Sequence, residues 1–262
     1  MRTKLFSIAI VAVLLLFVVP LAYAITYGEP DGGAHPNVGV LVFELDGEKF
    51  GICSGTLIDS DVFLTAGHCT SFLQSLGITV VWVSFDTEFD AETSALHQGT
   101  YVTHPDFGHD FARFNDLAVV LLDEEVDITP ASLPALGLFD QMGPRGLKGQ
   151  QFTAVGYGST EPSIGGGPPT FSGFGVRRVA TSTFRALNKN WLRLSQNNAT
   201  GDSGTCFGDS GGPNFLGAGS DETDTIAAIT STGDAMCIAT NVVYRLDTQS
   251  AQDFLDGYVL LP

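Results

Sequence analysis

Basic residues are scarce in this 262-residue chain. Twelve Lys and Arg stand against 29 Asp and Glu, a net charge of −17. So acidic a surface disfavours nucleic acid and anionic membranes as partners. Beyond the first 24 residues no apolar run approaches the roughly 20 residues that cross a bilayer as a helix. Close Cys-x-x-Cys pairs, the usual frame of a zinc site, do not occur, and the spacing of His97, His104 and His109 matches no metal motif. Helical periodicity is confined to residues 250–259, where Phe254, Leu255 and Tyr258 share a face and Thr248 or Ser250 can cap. No internal repeat is visible. These absences argue against a membrane-spanning, nucleic-acid-binding or metal-dependent protein, and no cofactor is expected.

What is present begins with an export signal. Arg2 and Lys4 precede an apolar run over 5–19, then Pro20 and the small-x-small triplet Ala22-Tyr23-Ala24. Residues 1–24 are therefore expected to be a removable signal peptide, and the remainder to be secreted and extracellular without stable membrane association. Cleavage after Ala24 leaves ten basic against 29 acidic residues, a net charge of −19, and a chain starting at Ile25. All four cysteines, Cys53, Cys69, Cys206 and Cys237, lie in this part, so two disulfides are expected, with three pairings open. Short β-branched and aromatic runs alternate with Gly, Pro and Asp turns at 38–43, 49–58, 62–65, 79–85, 99–103, 117–122, 151–157, 175–185, 191–194, 225–231 and 241–244. That pattern predicts an all-β barrel or sandwich. Residues 140–150 read as a connection and 158–175, rich in glycine, as a surface loop.

The chemistry concentrates in Thr205-Cys206-Phe207-Gly208-Asp209-Ser210-Gly211-Gly212-Pro213. Glycines let the backbone turn tightly and leave amides uncovered, so Ser210 can meet a carbonyl while N–H groups aim at the same oxygen. A serine nucleophile needs a general base, usually histidine. His35 lies in an N-terminal arm, and His97, His104 and His109 lie in or beside polar loop sequence, where solvation is the simpler reading. His68 differs: it follows a strand in Leu64-Thr65-Ala66-Gly67-His68-Cys69. If Cys69 is bridged to Cys53, the histidine's backbone is anchored, with about 3 kcal/mol of loop-closure stabilisation. The base in turn needs a carboxylate. Asp116 opens the apolar run Leu117-Ala118-Val119-Val120-Leu121-Leu122 and is drawn inward, where its charge needs a partner.

These three segments, in the order His, Asp, Ser, resemble the chymotrypsin/trypsin-like serine endopeptidases. Val102-Thr103-His104-Pro105 and Ala154-Val155-Gly156-Tyr157-Gly158 agree with the resemblance. It implies two six-stranded antiparallel β-barrels and a C-terminal helix. Residues 25–140 would form the barrel carrying His68 and Asp116, and 141–262 the barrel carrying Ser210. It also implies disulfides Cys53–Cys69 and Cys206–Cys237, an oxyanion hole from the amides of Gly208 and Ser210, and protein or peptide substrates together with protein inhibitors as partners. An α/β-hydrolase esterase is excluded by the opposite residue order and the shortage of helices. A family member that keeps the fold but has lost catalysis, acting as a binding protein, is the alternative.

Against the family pattern, Ile25-Thr26-Tyr27-Gly28 follows the signal site directly. The freed Ile25 amine is therefore expected to pair with Asp209 without a separate activation step. The residue six before the nucleophile, an aspartate in trypsin-like members, is Gly204. Ser231-Thr232-Gly233 is the expected substrate-binding strand, and Val242 stands where many members have glycine. Gly204, Ser231, Thr232, Gly233 and Val242 are thus the expected substrate-binding residues, with small or medium apolar side chains preferred over Arg or Lys. Asp86, Glu88, Asp90 and Glu92 read as a solvated acidic loop, and Asn198-Ala199-Thr200 is a glycosylation sequon.

Overall fold

A computed structural model describes residues 25–109, 114–160, 162–163 and 168–262; the expected leader lies outside them. Six strands form a closed barrel in the order β2-β3-β4-β7-β6-β5: β2 (Val38–Leu45), β3 (Glu48–Asp59), β4 (Val62–Thr65), β5 (Val80–Ser84), β6 (His97–Thr103) and β7 (Ala118–Leu122). Every pairing is antiparallel. The barrel is filled by Leu41, Phe63, Leu64, Val81, Val83 and Val119, all fully buried. It can close tightly at Gly55, where a Cβ would lie 2.3 Å from the Leu64 carbonyl and 2.4 Å from the Phe63 ring.

A second set, β8 (Gln151–Gly156), β9 (Arg178–Leu187), β10 (Trp191–Ser195), β11 (Pro213–Leu216), β12 (Ile226–Gly233) and β13 (Thr240–Arg245), runs in the order β9-β10-β13-β12-β11-β8 and closes through β8 with β9. These are the two six-stranded antiparallel barrels expected. The strand boundaries fall within a few residues of the sequence reading, except that β11 escaped it. A two-residue strand, β1 (Glu29–Pro30), adds to β9, so the N-terminal arm crosses to the second barrel rather than staying with the first.

Three helices accompany the barrels among the described residues. α1 (Gly67–Ser75) follows β4 directly and was not foreseen from the sequence. α2 (Leu138–Gly146) occupies the expected connection; Gly143, at φ 61°, breaks it just before Pro144. α3 (Gln249–Leu255) is the expected C-terminal helix, shorter than read and capped by the Thr248 hydroxyl accepting from the Ala251 amide. Phe139 and Leu147, at the two ends of α2, fill the second barrel's separate apolar cluster.

The two barrels are joined by hydrogen bonds from Ser54 and Arg177. Ser54 donates its amide to the Ser210 carbonyl at 2.9 Å and its hydroxyl to the Gly208 carbonyl at 2.9 Å, and its Oγ accepts from the Tyr157 amide. The buried Arg177 guanidinium donates to the carbonyls of Val38 and Phe85 and to Asp31.

Candidate active site

The register of the first barrel brings His68 and Asp116 together. Thr65 pairs with Ala118 across β4 and β7, so three residues beyond one strand and two before the other reach the same barrel end. His68 is the second residue of α1. Its amide donates to Asp116 Oδ1 at 2.8 Å, and its Nδ1 lies 2.9 Å from Oδ2 and 3.1 Å from Oδ1. The carboxylate is completely buried, while the imidazole keeps a third of its surface exposed. Asp116 thus fixes ring orientation and requires the proton on Nδ1, leaving Nε2 free to accept. Asn115, at φ 45°, sets the turn that aims Asp116; its side-chain oxygen accepts from the hydroxyls of Tyr244 and Ser250. Cys53–Cys69 closes a 16-residue separation beside His68, and Cys206–Cys237 ties the serine loop to the turn after β12.

Sequence reasoning placed Ser231 in the substrate strand but missed its contact with Asp116. The Ser231 hydroxyl donates to Asp116 Oδ2 in a short hydrogen bond. The ladder between β12 and β13 pairs Thr230 with Val243 and then Thr232 with Val242, leaving Ser231 as the extra residue of a bulge. Such a bulge re-aims one side chain. A Ser before Thr-Gly in an apolar strand was the available signal, but the bulge is a tertiary feature.

Ser210 sits on the turn that the glycines suggested. Gly211 has φ 80°, and a Cβ there would lie 2.3 Å from Thr65 Oγ1 and 2.5 Å from the Ser54 carbonyl. The Gly211 amide donates to the Thr230 carbonyl at 2.8 Å, and the Thr230 amide to the Gly212 carbonyl at 2.9 Å. Among the described residues the amides of Gly208 and Ser210 have no partner in the chain. They are two free donors beside one hydroxyl. Ser210 and His68 share a cleft of about 400 Å³. No hydrogen bond joins the two side chains, and a nucleophile–base contact commonly tightens only on substrate binding.

Asp209 is fully buried. Its two oxygens accept from the amides of Cys206 and Gly158, each at 2.8 Å, and no cation meets it among the described residues. Burial pushes its carboxyl up to about 7, against the downward pull of those two amides. The residue expected to meet it lies inside the protein as well. Ile25 and Thr26 are completely buried, and the Thr26 carbonyl accepts from the Gly204 amide at 3.1 Å.

Of the expected substrate-binding residues, Ser231, Thr232 and Gly233 line the cleft, whereas Gly204 and Val242 do not. Gly204 is held by Thr26 and covered by Gln196, whose Cβ lies 2.4 Å from where a Cβ of residue 204 would stand. Val242 is taken up by the sheet between Thr232 and Arg193. Phe207 and Asp234 also line the cleft, unforeseen from sequence. Burial opposes ionisation of Asp234, but amides of Thr240, Ile238 and Ala239 and the Gln196 side chain hold its carboxyl below the usual range. His104, read as solvated, is buried. Its Nδ1 accepts from the Asp106 amide, and its ring packs on Phe254, because α3 folds over it.

The family model described as Trypsin matches residues 31–254. Brachyurin of Leptuca pugilator is 30% identical over 172 residues, covering 62% of this chain and 69% of that protein. Kallikrein 1-related peptidase b27 of Mus musculus is 27% identical over 213 residues, covering 72% and 73%. The solved structure of HL collagenase superposes with a TM-score of 0.65 at 20% identity, covering 89% of this chain and 97% of that one.

Proposed function

The chain belongs to the trypsin family, and from that premise we propose that it is a secreted serine endopeptidase with Ser210, His68 and Asp116 as its catalytic residues. The observation that carries this reading is the buried Asp116 carboxylate bonded to His68 Nδ1 in the cleft that holds Ser210. Ser210 Oγ attacks the scissile carbonyl while His68 Nε2 takes its proton. The oxyanion forms against the free amides of Gly208 and Ser210. Collapse of the tetrahedral adduct breaks the C–N bond, His68 returns the proton to the leaving amine, and water then hydrolyses the acyl-enzyme by the same two steps. Ser231, bonded to Asp116, acts as a positioning residue. Residues 25–140 and 141–262 are the two halves of the enzyme, and its partners are protein or peptide substrates and protein inhibitors.

Signal cleavage after Ala24 frees the Ile25 amine, which pairs with Asp209 and holds the oxyanion amides in place. Active enzyme whose sequenced N-terminus lies elsewhere would refute this activation route.

Gly204 carries no charge at the expected pocket floor, and the Asp234 carboxylate in the cleft is already engaged by four neutral donors. Preference therefore falls on small or medium apolar residues before the cut, and a peptide library cleaved strictly after Arg or Lys would exclude this. The central test is a fluorophosphonate, which labels only an activated serine. Labelling should occur in the mature protein and vanish in Ser210→Ala. An unlabelled, folded protein would instead be a silent binding member of the family.

A further inference from the structure

Every carbonyl from Cys206 to Ser210 accepts a hydrogen bond. The Asp209 amide donates to that of Cys206 at 3.1 Å, the Ser159 amide to that of Phe207 at 2.8 Å, and the Gly212 amide to that of Asp209 at 2.9 Å. The remaining two carbonyls, of Gly208 and Ser210, belong to the residues whose own amides are free. Ser54 holds both, the first through its hydroxyl and the second through its amide, each at 2.9 Å. Of the five bonds, only these two come from the first barrel.

Ser54 is itself held on every side. It is fully buried in β3. Its Oγ accepts from the Tyr157 amide at 2.9 Å, and its carbonyl accepts from Thr65 Oγ1 at 2.8 Å. The chain around it is glycine where it comes close. A Cβ at Gly156 would lie 3.0 Å from its Oγ, and one at Gly211 2.5 Å from its carbonyl oxygen. Ser54 follows Cys53, and His68 precedes Cys69, so the Cys53–Cys69 bridge ties the holder of the serine loop to the base.

A peptide chain turns only about φ and ψ. Gly208 has φ 96° and no side chain to restrict either angle. Its amide shares a plane with the Phe207 carbonyl, which Ser159 fixes. The next plane carries its own carbonyl, bonded to Ser54; without that hydroxyl only the 3.1 Å bond from the Asp209 amide would hold it. We propose that the Ser54 hydroxyl is a positioning group for the oxyanion site, locking Gly208 between two fixed planes so that its amide stays aimed into the cleft. The proposal rests on the serine-peptidase reading above.

Ser54→Ala removes the hydroxyl and keeps the amide bond to Ser210. On a cleaved peptide, kcat should fall roughly 10- to 100-fold, short of the 10²–10³ lost with a whole oxyanion donor, while KM stays within about twofold. A peptidyl trifluoromethyl ketone adds to the serine as an ionised hemiketal and should bind more weakly by the same factor. The matching alcohol, which cannot add, should bind as before. Thr153→Val is the control: it removes another buried hydroxyl, one that donates to the Gly217 carbonyl at 3.1 Å, and should leave all these quantities unchanged. An unchanged kcat in folded Ser54→Ala overturns the proposal. So does equal weakening of ketone and alcohol, or the same losses in Thr153→Val. If Ser54→Ala does not fold, Thr65→Val releases the Ser54 carbonyl and should show the same selective loss of ketone affinity in smaller degree; equal effects on ketone and alcohol there overturn the proposal. A parent that neither cleaves peptides nor takes fluorophosphonate overturns the peptidase reading, and this proposal with it.

Discussion

Replacing His35 by glutamine should cost stability in a pH-dependent way. The imidazole lies between two carboxylates, with Nδ1 2.5 Å from Asp31 Oδ1 and Nε2 2.7 Å from Glu222 Oε1, and it stacks on Phe215. Asp31 also accepts from Arg177 Nε at 2.9 Å. Burial disfavours the imidazolium, but the two carboxylates outweigh it and raise His35 from 6.5 to about 9. Burial likewise raises Asp31, and His35 with Arg177 outweighs it, leaving that carboxyl at about 2. Both displacements report one attraction, so only one is counted. At about 1.4 kcal/mol per pH unit, the His35 displacement corresponds to about 3 kcal/mol. The side chain is only 12% exposed, so solvent screening removes little of this. A group whose folded-state pKa is raised gives its full contribution below the unfolded value and loses it as pH climbs through the folded value. The contribution of His35 is therefore complete below pH 6.5, declines above it, and is gone beyond about 9. At the acid end the Asp31 contribution declines below 3.8 and is lost through about 2. The assay is urea unfolding of the parent and His35→Gln on a Ser210→Ala background, which prevents self-digestion. The difference should be about 3 kcal/mol at pH 6, or roughly 6–12 °C in Tm, and shrink towards zero near pH 9.5. The background titration of the acidic surface cancels in that difference. An equal difference at both pH values would refute the ion-pair account.

Asp116→Asn should keep the fold and lower kcat by about 10³–10⁴-fold, because the amide favours the wrong imidazole tautomer; steady-state kinetics on a cleaved peptide check it. Ser231→Ala removes a hydroxyl bonded to that buried carboxylate and should destabilise the protein by about 1.5–3 kcal/mol by denaturant unfolding, with kcat falling more than KM changes. Gly211→Ala meets both a positive φ and occupied space and should cost at least about 2 kcal/mol, with a lowered Tm even on the Ser210→Ala background. Replacing Cys206 and Cys237 by serine opens a 31-residue separation and should cost about 3–4 kcal/mol by the chain-entropy relation, read by urea unfolding.

Local signals carried well from sequence to structure wherever the residues that decide a feature are neighbours in the chain. β4 was read with its final boundaries because Val62-Phe63-Leu64-Thr65 is β-forming and bounded by Asp61 and Ala66. The Thr248 cap and α3 were legible for the same reason. Features set by distant segments were not. α1 has no apolar stripe strong enough to announce it; it forms because Gly67 packs against the Leu117 backbone and Cys69 is bonded to Cys53. Ser54 follows a cysteine in the expected strand 49–58 with nothing local to mark it, yet three of its hydrogen bonds reach the second barrel. Asp31 and His35 looked like parts of a polar arm because Glu222 lies 187 positions from that histidine.

Asp209 and Asp234 show how a charge count misleads without partners. Asp234 looks suited to a cationic substrate because it lines the cleft, but three backbone amides and Gln196 already satisfy it and hold its carboxyl low. Asp209 faces no cleft, and with only two amides its carboxyl rises to about 7. Neither carboxylate meets a cation among the described residues, but only the hidden one has so few donors that burial outweighs them. The groups around it leave no room for a side-chain cation to be introduced: a Cβ at Gly156 or Gly158 would lie 2.3 or 2.5 Å from its atoms. A partner must arrive as a slender group carried on the backbone. An α-amine meets that description, and the arm holding Ile25 is already anchored at Gly204 by Thr26. On the activation route proposed above, burial that penalises Asp209 in the uncut chain would become, once that amine is free, the low-dielectric setting that strengthens the pair. The same site would then oppose the charged state before cleavage and favour it afterwards, as a covalently triggered ordering of the oxyanion amides requires.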